Sequence, residues 1–354
     1  MNSTDPPIDA MARRVPGRRP PPAGARSFHG AGISDTLLEW LRSGAVLALT
    51  PWIILAILVV LYGSKQTGVY TINELNIFTG ETLTLILISF GQTLVIVSGG
   101  IDLSSGGLLS LVTALAALHF GDGGAQMWLV MAALIIGSTV AGAVNGFLIG
   151  VTGMQPFIVT LATSSVFGGA ALWVLPTNGG TVPADWSNFG NGIWLGVGTS
   201  VWLLLLLALF WLIFKRTRLW FEIRSVGSSQ EAAFLSGVPV VRTIVTTYAL
   251  AGLFACLAAL YYITQSESGN PTVGPEYILT SVIAVVLGGT ALIGGRGGFG
   301  GTIAGAYIPT LIASVIFIYG IDSNWQSLVE GVLLIFAVLL NVLAAYLVRR
   351  QSAA

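Results

Sequence analysis

Apolar residues gather in ten runs along the 354-residue chain, at about 46–62, 80–98, 104–119, 127–150, 156–175, 198–214, 243–264, 278–293, 301–319 and 326–347. A helix needs roughly 20 such residues to cross a bilayer. The pattern therefore predicts an all-α, polytopic integral membrane protein with about ten transmembrane helices. Polar, glycine-rich interruptions follow the second and eighth runs: Ser98-Gly99-Gly100-Ile101-Asp102-Leu103-Ser104-Ser105-Gly106-Gly107, and Gly288-Gly289-Thr290 through Arg296 to Gly301. They lie about 190 positions apart in similar span-break-span settings, which points to an internal repeat of the kind transporters use.

Charge placement sets the expected orientation. Apart from the N-terminal segment, basic residues concentrate in Lys215, Arg216, Arg218, Arg224 and Arg242 and at the end in Arg349 and Arg350. The positive-inside rule puts both termini and the 215–242 loop in the cytoplasm. Six runs precede that loop and four follow it, and both numbers are even, as this orientation requires. Connections on the other side are mainly acidic: Glu74, Asp122, Asp185, Glu267, Glu276 and Asp322. The expected organisation is a disordered cytoplasmic tail over 1–44, a transmembrane domain over 45–348 that includes the cytoplasmic loop 215–242, and a short cytoplasmic C-terminal tail over 349–354.

Composition sharpens the class. Hydrophobic residues make up 54% of the chain and charged residues 8%, which excludes an ordinary soluble domain, where about 25% are charged. The tail holds six of the fourteen prolines and six arginines, and ends in a short helix expected near Ser34–Arg42. Its basic charge is a topology signal and not a nucleic-acid site. The single cysteine, Cys256, can form no internal disulfide. With two histidines, one cysteine and no carboxylate pair at helical spacing inside a span, neither a catalytic nor a metal site can be assembled. The segment 288–301 lacks the Lys and Ser/Thr of a phosphate-binding loop, so the chain itself is not expected to bind ATP.

A few residues stand out against this apolar background. Asp102, with Ser104 beside it, either lines a solute path or caps the third span. Gln92 either contacts a polar solute or bonds across to another helix, the second being preferred. Gly142, Gly146 and Gly150, and again Gly301 and Gly305, have the spacing that lets helix backbones pack closely. Within 215–242, Ser228 or Ser229 can cap a short helix with Glu231 in its first turn, and Gly237 and Pro239 stop it. That helix, with Ala232, Ala233, Phe234 and Leu235, suits either a groove on a cytoplasmic partner or the lipid surface.

Four segments together carry a family resemblance: Gly91-Gln92-Thr93 through Ser98-Gly99-Gly100-Ile101-Asp102-Leu103-Ser104, Pro156 through Thr163, Glu231-Ala232-Ala233 through Ser236-Gly237-Val238, and Val285 through Gly288-Gly289-Thr290 to Gly297. Over roughly residues 46–345 the chain resembles the permease subunits of ribose-type ABC sugar importers. The resemblance implies a permease of the inner membrane, homodimeric or paired with a second permease, that moves a small neutral sugar or polyol into the cytoplasm. It implies a cytoplasmic ATPase subunit that holds the ATP and Mg, and an extracytoplasmic sugar-binding protein. Ser229, Glu231, Ala232, Ala233 and Gly237 would then form the helix that couples to the ATPase. Gln92, Gly99, Gly100, Asp102, Ser104, Gly288 and Gly289 would shape the pathway and gate. The chain departs from the family where acidic residues usually flank a Leu before the GG-T motif: Ile278 and Thr280 stand there. The alternative from a different class is an ion-coupled secondary transporter of a small polar solute, for which Asp102 is the candidate coupling residue. An integral membrane enzyme is the weakest reading.

Overall fold

Helix starts follow the small polar and proline residues that can satisfy or dispense with free amides. In the computed structural model, which describes residues 45–66, 68–322 and eight positions between 325 and 339, Thr71 accepts from Glu74 N–H at the head of one helix and Thr217 from Trp220 N–H at another. Pro156 opens a third, where a missing N–H costs nothing. The tail at 1–44, its expected helix and the segment 349–354 lie outside the described residues.

The chain runs through α1 (Ala45–Gly63), α2 (Ile72–Val97), α3 (Ser104–His119), α4 (Gly124–Thr152), α5 (Pro156–Val174) and α6 (Ala184–Asn191). A two-residue hairpin follows, β1 (Ile193–Trp194) and β2 (Val197–Gly198), with Ile193 opposite Gly198. Its turn residues Leu195 and Gly196 both have positive φ, as a tight hairpin of this length requires. Then come α7 (Thr199–Phe214), α8 (Arg218–Ser228), α9 (Gln230–Leu235), α10 (Val240–Ser266), α11 (Gly274–Leu287) and α12 (Phe299–Ile318). Nine of the ten expected spans coincide with helices; the tenth, 326–347, falls mostly outside the described residues.

Among the described residues five helices, α2, α4, α5, α10 and α12, are long and apolar enough to cross a membrane, and α7 with α8 forms one further candidate bent by 76°. The shorter α3 and α11 each adjoin a glycine-rich break. Two corrections of extent follow. α2 begins eight residues before its apolar run, because Asn73, Glu74 and Asn76 are helical despite their polarity. α11 ends at Leu287 and not 293, because Gly288 and Gly289 terminate it.

Burial separates centre from rim. In α2 83% of the membrane-compatible window is buried, against 22% in α4 and 17% in α5, so α2 is the axis and the others present wide faces outward. Around α2, Phe90 packs on Phe254 of α10 and Phe299 of α12 with ring centroids 4.3 and 4.4 Å apart. Phe90 and Phe299 are fully buried. The connections divide into two mutually contacting sets, as alternate crossings demand. At one end Gly295 N–H meets Val97 O, Thr160 Oγ1 meets Ile101 O, and α8 packs beneath them. At the other Thr181 N–H meets Ala117 O, Gly179 bridges Gly269, and Gly198 N–H meets Asn76 Oδ1.

Candidate functional site

Two helices end in the same way. After α2, the N–H groups of Ser98, Gly99 and Gly100 donate to Leu94, Ile96 and Val95 at 3.0 Å each. After α11, those of Gly288, Gly289 and Thr290 donate to Ala284, Val286 and Val285 at 2.9, 3.0 and 3.2 Å. Gly99 and Gly289 occupy equivalent left-handed positions, φ +89° and +83°, where a Cβ would be strained. The likeness of the two breaks thus extends from composition to hydrogen bonding.

The two breaks also touch. Gly295 N–H donates to Val97 O at 2.8 Å, and a Cβ on Gly294 would stand 2.9 Å from Gly99 Cα. A third backbone closes the joint. Gly227 of α8 lies so near that a Cβ there would overlap the Val97 carbonyl oxygen and stand 2.8 Å from Gly295 N. Arg224, one turn earlier, donates from Nε to Gly295 O at 3.3 Å. Gly99, Gly100, Gly288 and Gly289 stand in the breaks as the sequence predicts, whereas Gly227 and Arg224 were not expected there. Their only sequence signal was α8 itself, with Trp220, Ile223 and Val226 buried at helical spacing behind the Thr217 cap.

Asp102 is 2% exposed and acts as a cap in this conformation. Its Oδ1 accepts from the Ser104 backbone N–H at 2.8 Å and from the Ser104 hydroxyl at 2.6 Å, satisfying the start of α3. Asn145 Nδ2 of α4 in turn donates to Ser104 Oγ at 2.9 Å. The Tyr248 hydroxyl of α10 presses against Gly100, where a Cβ would overlap it. The Tyr248 hydroxyl and Asn145 Oδ1 are buried without partners among the described residues.

Gln92 does not make its expected interhelical bond. It is 1% exposed and neither amide atom has a partner among the described residues. The polar link to α12 is made one position later, where Thr93 and Thr302 hydroxyls lie 3.0 Å apart, while Gly91 sets the close approach to Ala251 of α10.

The glycine rows lie at helix contacts. Added Cβ atoms on Gly142 and Gly146 would meet the Tyr248 carbonyl and, at 2.7 Å, Val245 Cα; one on Gly150 would stand 3.2 Å from Val241 Cγ1. All three face α10. Gly301 and Gly305 face the end of α11 at Gly288 and Ala284. α4 with α10, and α12 with α11, therefore approach backbone to backbone.

α9 matches its expected outline. Ser229 Oγ accepts from Ala232 N–H at 3.2 Å, Glu231 lies in the first turn, and Gly237 at φ +79° ends the turn. Ala233 is buried in a cluster with Val95 of α2, Val159 of α5, Val226 of α8 and Tyr248 of α10, whereas Ala232, Phe234 and Leu235 are exposed. The short helix thus has one face packed on α2, α5, α8 and α10 and an apolar face turned outward. Among the described residues no three His, Cys, Asp or Glu side chains could hold a metal ion. The arrangement brings the end of α2, the α11–α12 loop and α8 together at one backbone joint.

Comparison with known proteins gives the frame for this joint. The family described as the branched-chain amino acid transport system permease component matches residues 75–338. The ribose import permease RbsC of Escherichia coli K12 is 35% identical over 297 residues, 82% of this chain and 92% of its own. The ribose import permease RbsC of Bacillus subtilis strain 168 is 36% identical over 264 residues, 72% and 80% of the two chains. The autoinducer 2 import permease LsrD of Yersinia pseudotuberculosis YPIII is 29% identical over 305 residues, 84% and 91%. No solved structure matches. The chain belongs to this permease family, alongside the ribose-type ABC sugar importers, as a multi-pass transport subunit of the inner membrane whose ATPase is a separate protein.

Proposed function

We propose that the chain carries a small neutral sugar, a pentose, hexose or related polyol, into the cytoplasm, driven by ATP and Mg held in a separate cytoplasmic ATPase. The ATPase seats on the outward face of α9, an extracytoplasmic sugar-binding protein delivers the solute at the opposite end, and a second copy of the chain completes the pathway. Both termini and the α8–α9 segment are cytoplasmic in this reading. The observation that carries it is the joint at Gly227, where α8, which leads directly into α9, meets Val97 and Gly295 backbone to backbone, with Arg224 Nε adding a bond to Gly295 O. In this reading a push on α9 reaches α2 and the α11–α12 loop through α8 over a short path that is largely backbone. The resemblance to sugar and autoinducer importers, and the use of Asp102 as a cap, support this over ion coupling.

The test is affinity purification of the tagged chain from its native membrane in mild detergent, with and without ATP and vanadate, followed by identification of what stays bound. A stoichiometric ATPase is expected with the native chain and a large loss of it with Phe234→Ser and Leu235→Ser, whose side chains are 71% and 78% exposed and dispensable to the fold. Recovery of the chain alone, with sodium- or proton-driven uptake after reconstitution, would sink the proposal.

A further inference from the structure

At the end of the molecule opposite the Gly227 joint an open cleft of about 500 Å³ lies between α2, the 190–200 connection and α10. That volume is within the range of small-molecule sites, about 300–1,000 Å³. Its walls carry Asn73, Asn76 and Glu81 of α2, Asn191 at the end of α6, and Tyr261 and Gln265 of α10. A second cleft of about 400 Å³ opens on the other side of Glu81, so this carboxylate stands on the ridge between the two.

Glu81 is out of place for a lipid-facing position. It lies nine residues into α2, about 14 Å along the axis at 1.5 Å per residue, and it is exposed with no ion pair among the described residues. Ionisable groups at such depth face water-filled space or a partner, because burial in hydrocarbon is expensive. The neighbouring polar groups form a prepared surface. Gln265 Nε2 donates to Asn191 Oδ1 at 2.8 Å and to the Tyr261 hydroxyl at 3.2 Å, which fixes all three side chains. Asn76 Oδ1 accepts from Gly198 N–H at 2.8 Å, which leaves its NH2 group for a ligand. The Asn73 side chain makes no hydrogen bond among the described residues and is exposed.

The chemistry selects the ligand. Amides and hydroxyls that both give and accept, with one acceptor carboxylate and the apolar walls of Ile77 and Ile193, match a neutral polyhydroxylated solute. Among the described residues no Lys, Arg or His lines either cleft, so the carboxylate of an amino acid would find no counter-charge there. We propose that this cleft is an entry subsite for a monosaccharide or polyol, with Glu81 accepting hydrogen bonds from its hydroxyls and Asn73 and Asn76 completing the contact. The inference rests on the transport reading above and adds the place and residues of solute contact.

The experiment uses the full chain with Cys256→Ala and Asn73→Cys, purified with its associated subunits into lipid nanodiscs. Labelling by a membrane-impermeant maleimide is timed in the presence of D-ribose, D-xylose or D-galactose, while ATP-driven uptake of the same sugars by cells carrying the native chain is measured in parallel. Expected is ready labelling of the introduced thiol, slowed about tenfold by the transported sugar once it is well above its half-protecting concentration. Glu81→Gln should raise that concentration by about tenfold or more, the loss of a charge-assisted hydrogen bond. A thiol that stays unlabelled, labelling that the transported sugar leaves unchanged, or protection insensitive to Glu81→Gln overturns the subsite while transport stands. Absence of both protection and ATP-driven uptake of any of the sugars overturns the subsite and the transport reading together.

Discussion

Gly227→Ala adds one methyl group where three backbones meet, and the structure sets how much must give. The new Cβ would stand 2.8 Å from Gly295 N, against 3.4 Å or more for ordinary contact, so the joint has to open by at least 0.6 Å, and by more on the side of the Val97 carbonyl. Both neighbours are backbone, so no side chain can swing aside. The Gly295 N–H···O Val97 bond at 2.8 Å is then stretched beyond about 3.2 Å, the usual limit for such bonds. Losing it costs about 1 kcal/mol, and overpacking adds about 1–3 kcal/mol. The better helix propensity of Ala returns about 1 kcal/mol. A net destabilisation of about 1–3 kcal/mol leaves the helices folded but displaces α8 from both breaks. The assay is solute uptake set against ATP hydrolysis by the complete transporter in proteoliposomes, with thermal unfolding in detergent as the control for folding. Uptake should fall by tenfold or more while the subunits stay associated and hydrolysis continues. Gly137→Ala is the matched control, since a Cβ there meets nothing within 4 Å. Native uptake by Gly227→Ala would refute the mechanical reading of the joint.

Other expectations follow from contacts already described. Asp102→Ala should lower stability by about 1–3 kcal/mol by stranding the buried Ser104 N–H, whereas Asp102→Asn, which keeps an acceptor, should unfold near the native temperature; transport lost by Asp102→Asn at unchanged stability would show a pathway role beyond the cap. Gly142→Val should separate α4 from α10 and prevent accumulation of folded protein, measurable by size-exclusion of a fluorescent fusion, because the new side chain meets the Tyr248 carbonyl. Thr93→Val alone should cost about 1–3 kcal/mol by orphaning Thr302, and the double variant with Thr302→Val should recover most of it; thermal unfolding of the three variants tests this.

Much of this architecture is legible from one-dimensional patterns because lipid demands that each crossing be a single apolar helix. The breaks at Gly99 and Gly289 could be read for the same reason, since adjacent glycines in an apolar setting mark where helices stop. The α9 outline followed from Ser229, Glu231 and Gly237. What could not be read is which pieces touch. The contact of Gly227 with Val97 and Gly295 joins residues far apart in the chain through atoms every residue possesses, so no side-chain type announces it. Gln92 misled for the complementary reason: a polar residue in an apolar run signals a bond, yet Thr93 occupies the place where the bond is made. Glu81 escaped notice because it falls at the start of its apolar run and resembles the boundary, whereas Thr71 starts the helix more than two turns further upstream. α6 and the hairpin between α5 and α7 were hidden in a stretch whose glycines and prolines read only as loop.

The glycine row of α4 against α10 bears on how the molecule can move. Two helices whose main chains interlock at Gly142, Gly146 and Gly252 cannot slide past one another without a collision of carbonyl groups, so they behave as one stiff plate. α9 is tied to the near edge of that plate through Gly237, and Tyr248 on the plate bears on Gly100 at the first break. A load applied at α9 must therefore tilt the plate as a unit, with the bending confined to the short linkers at its rim. The distance between two spin labels, one on α4 and one on α10, should stay constant through the transport cycle while either label moves against α5.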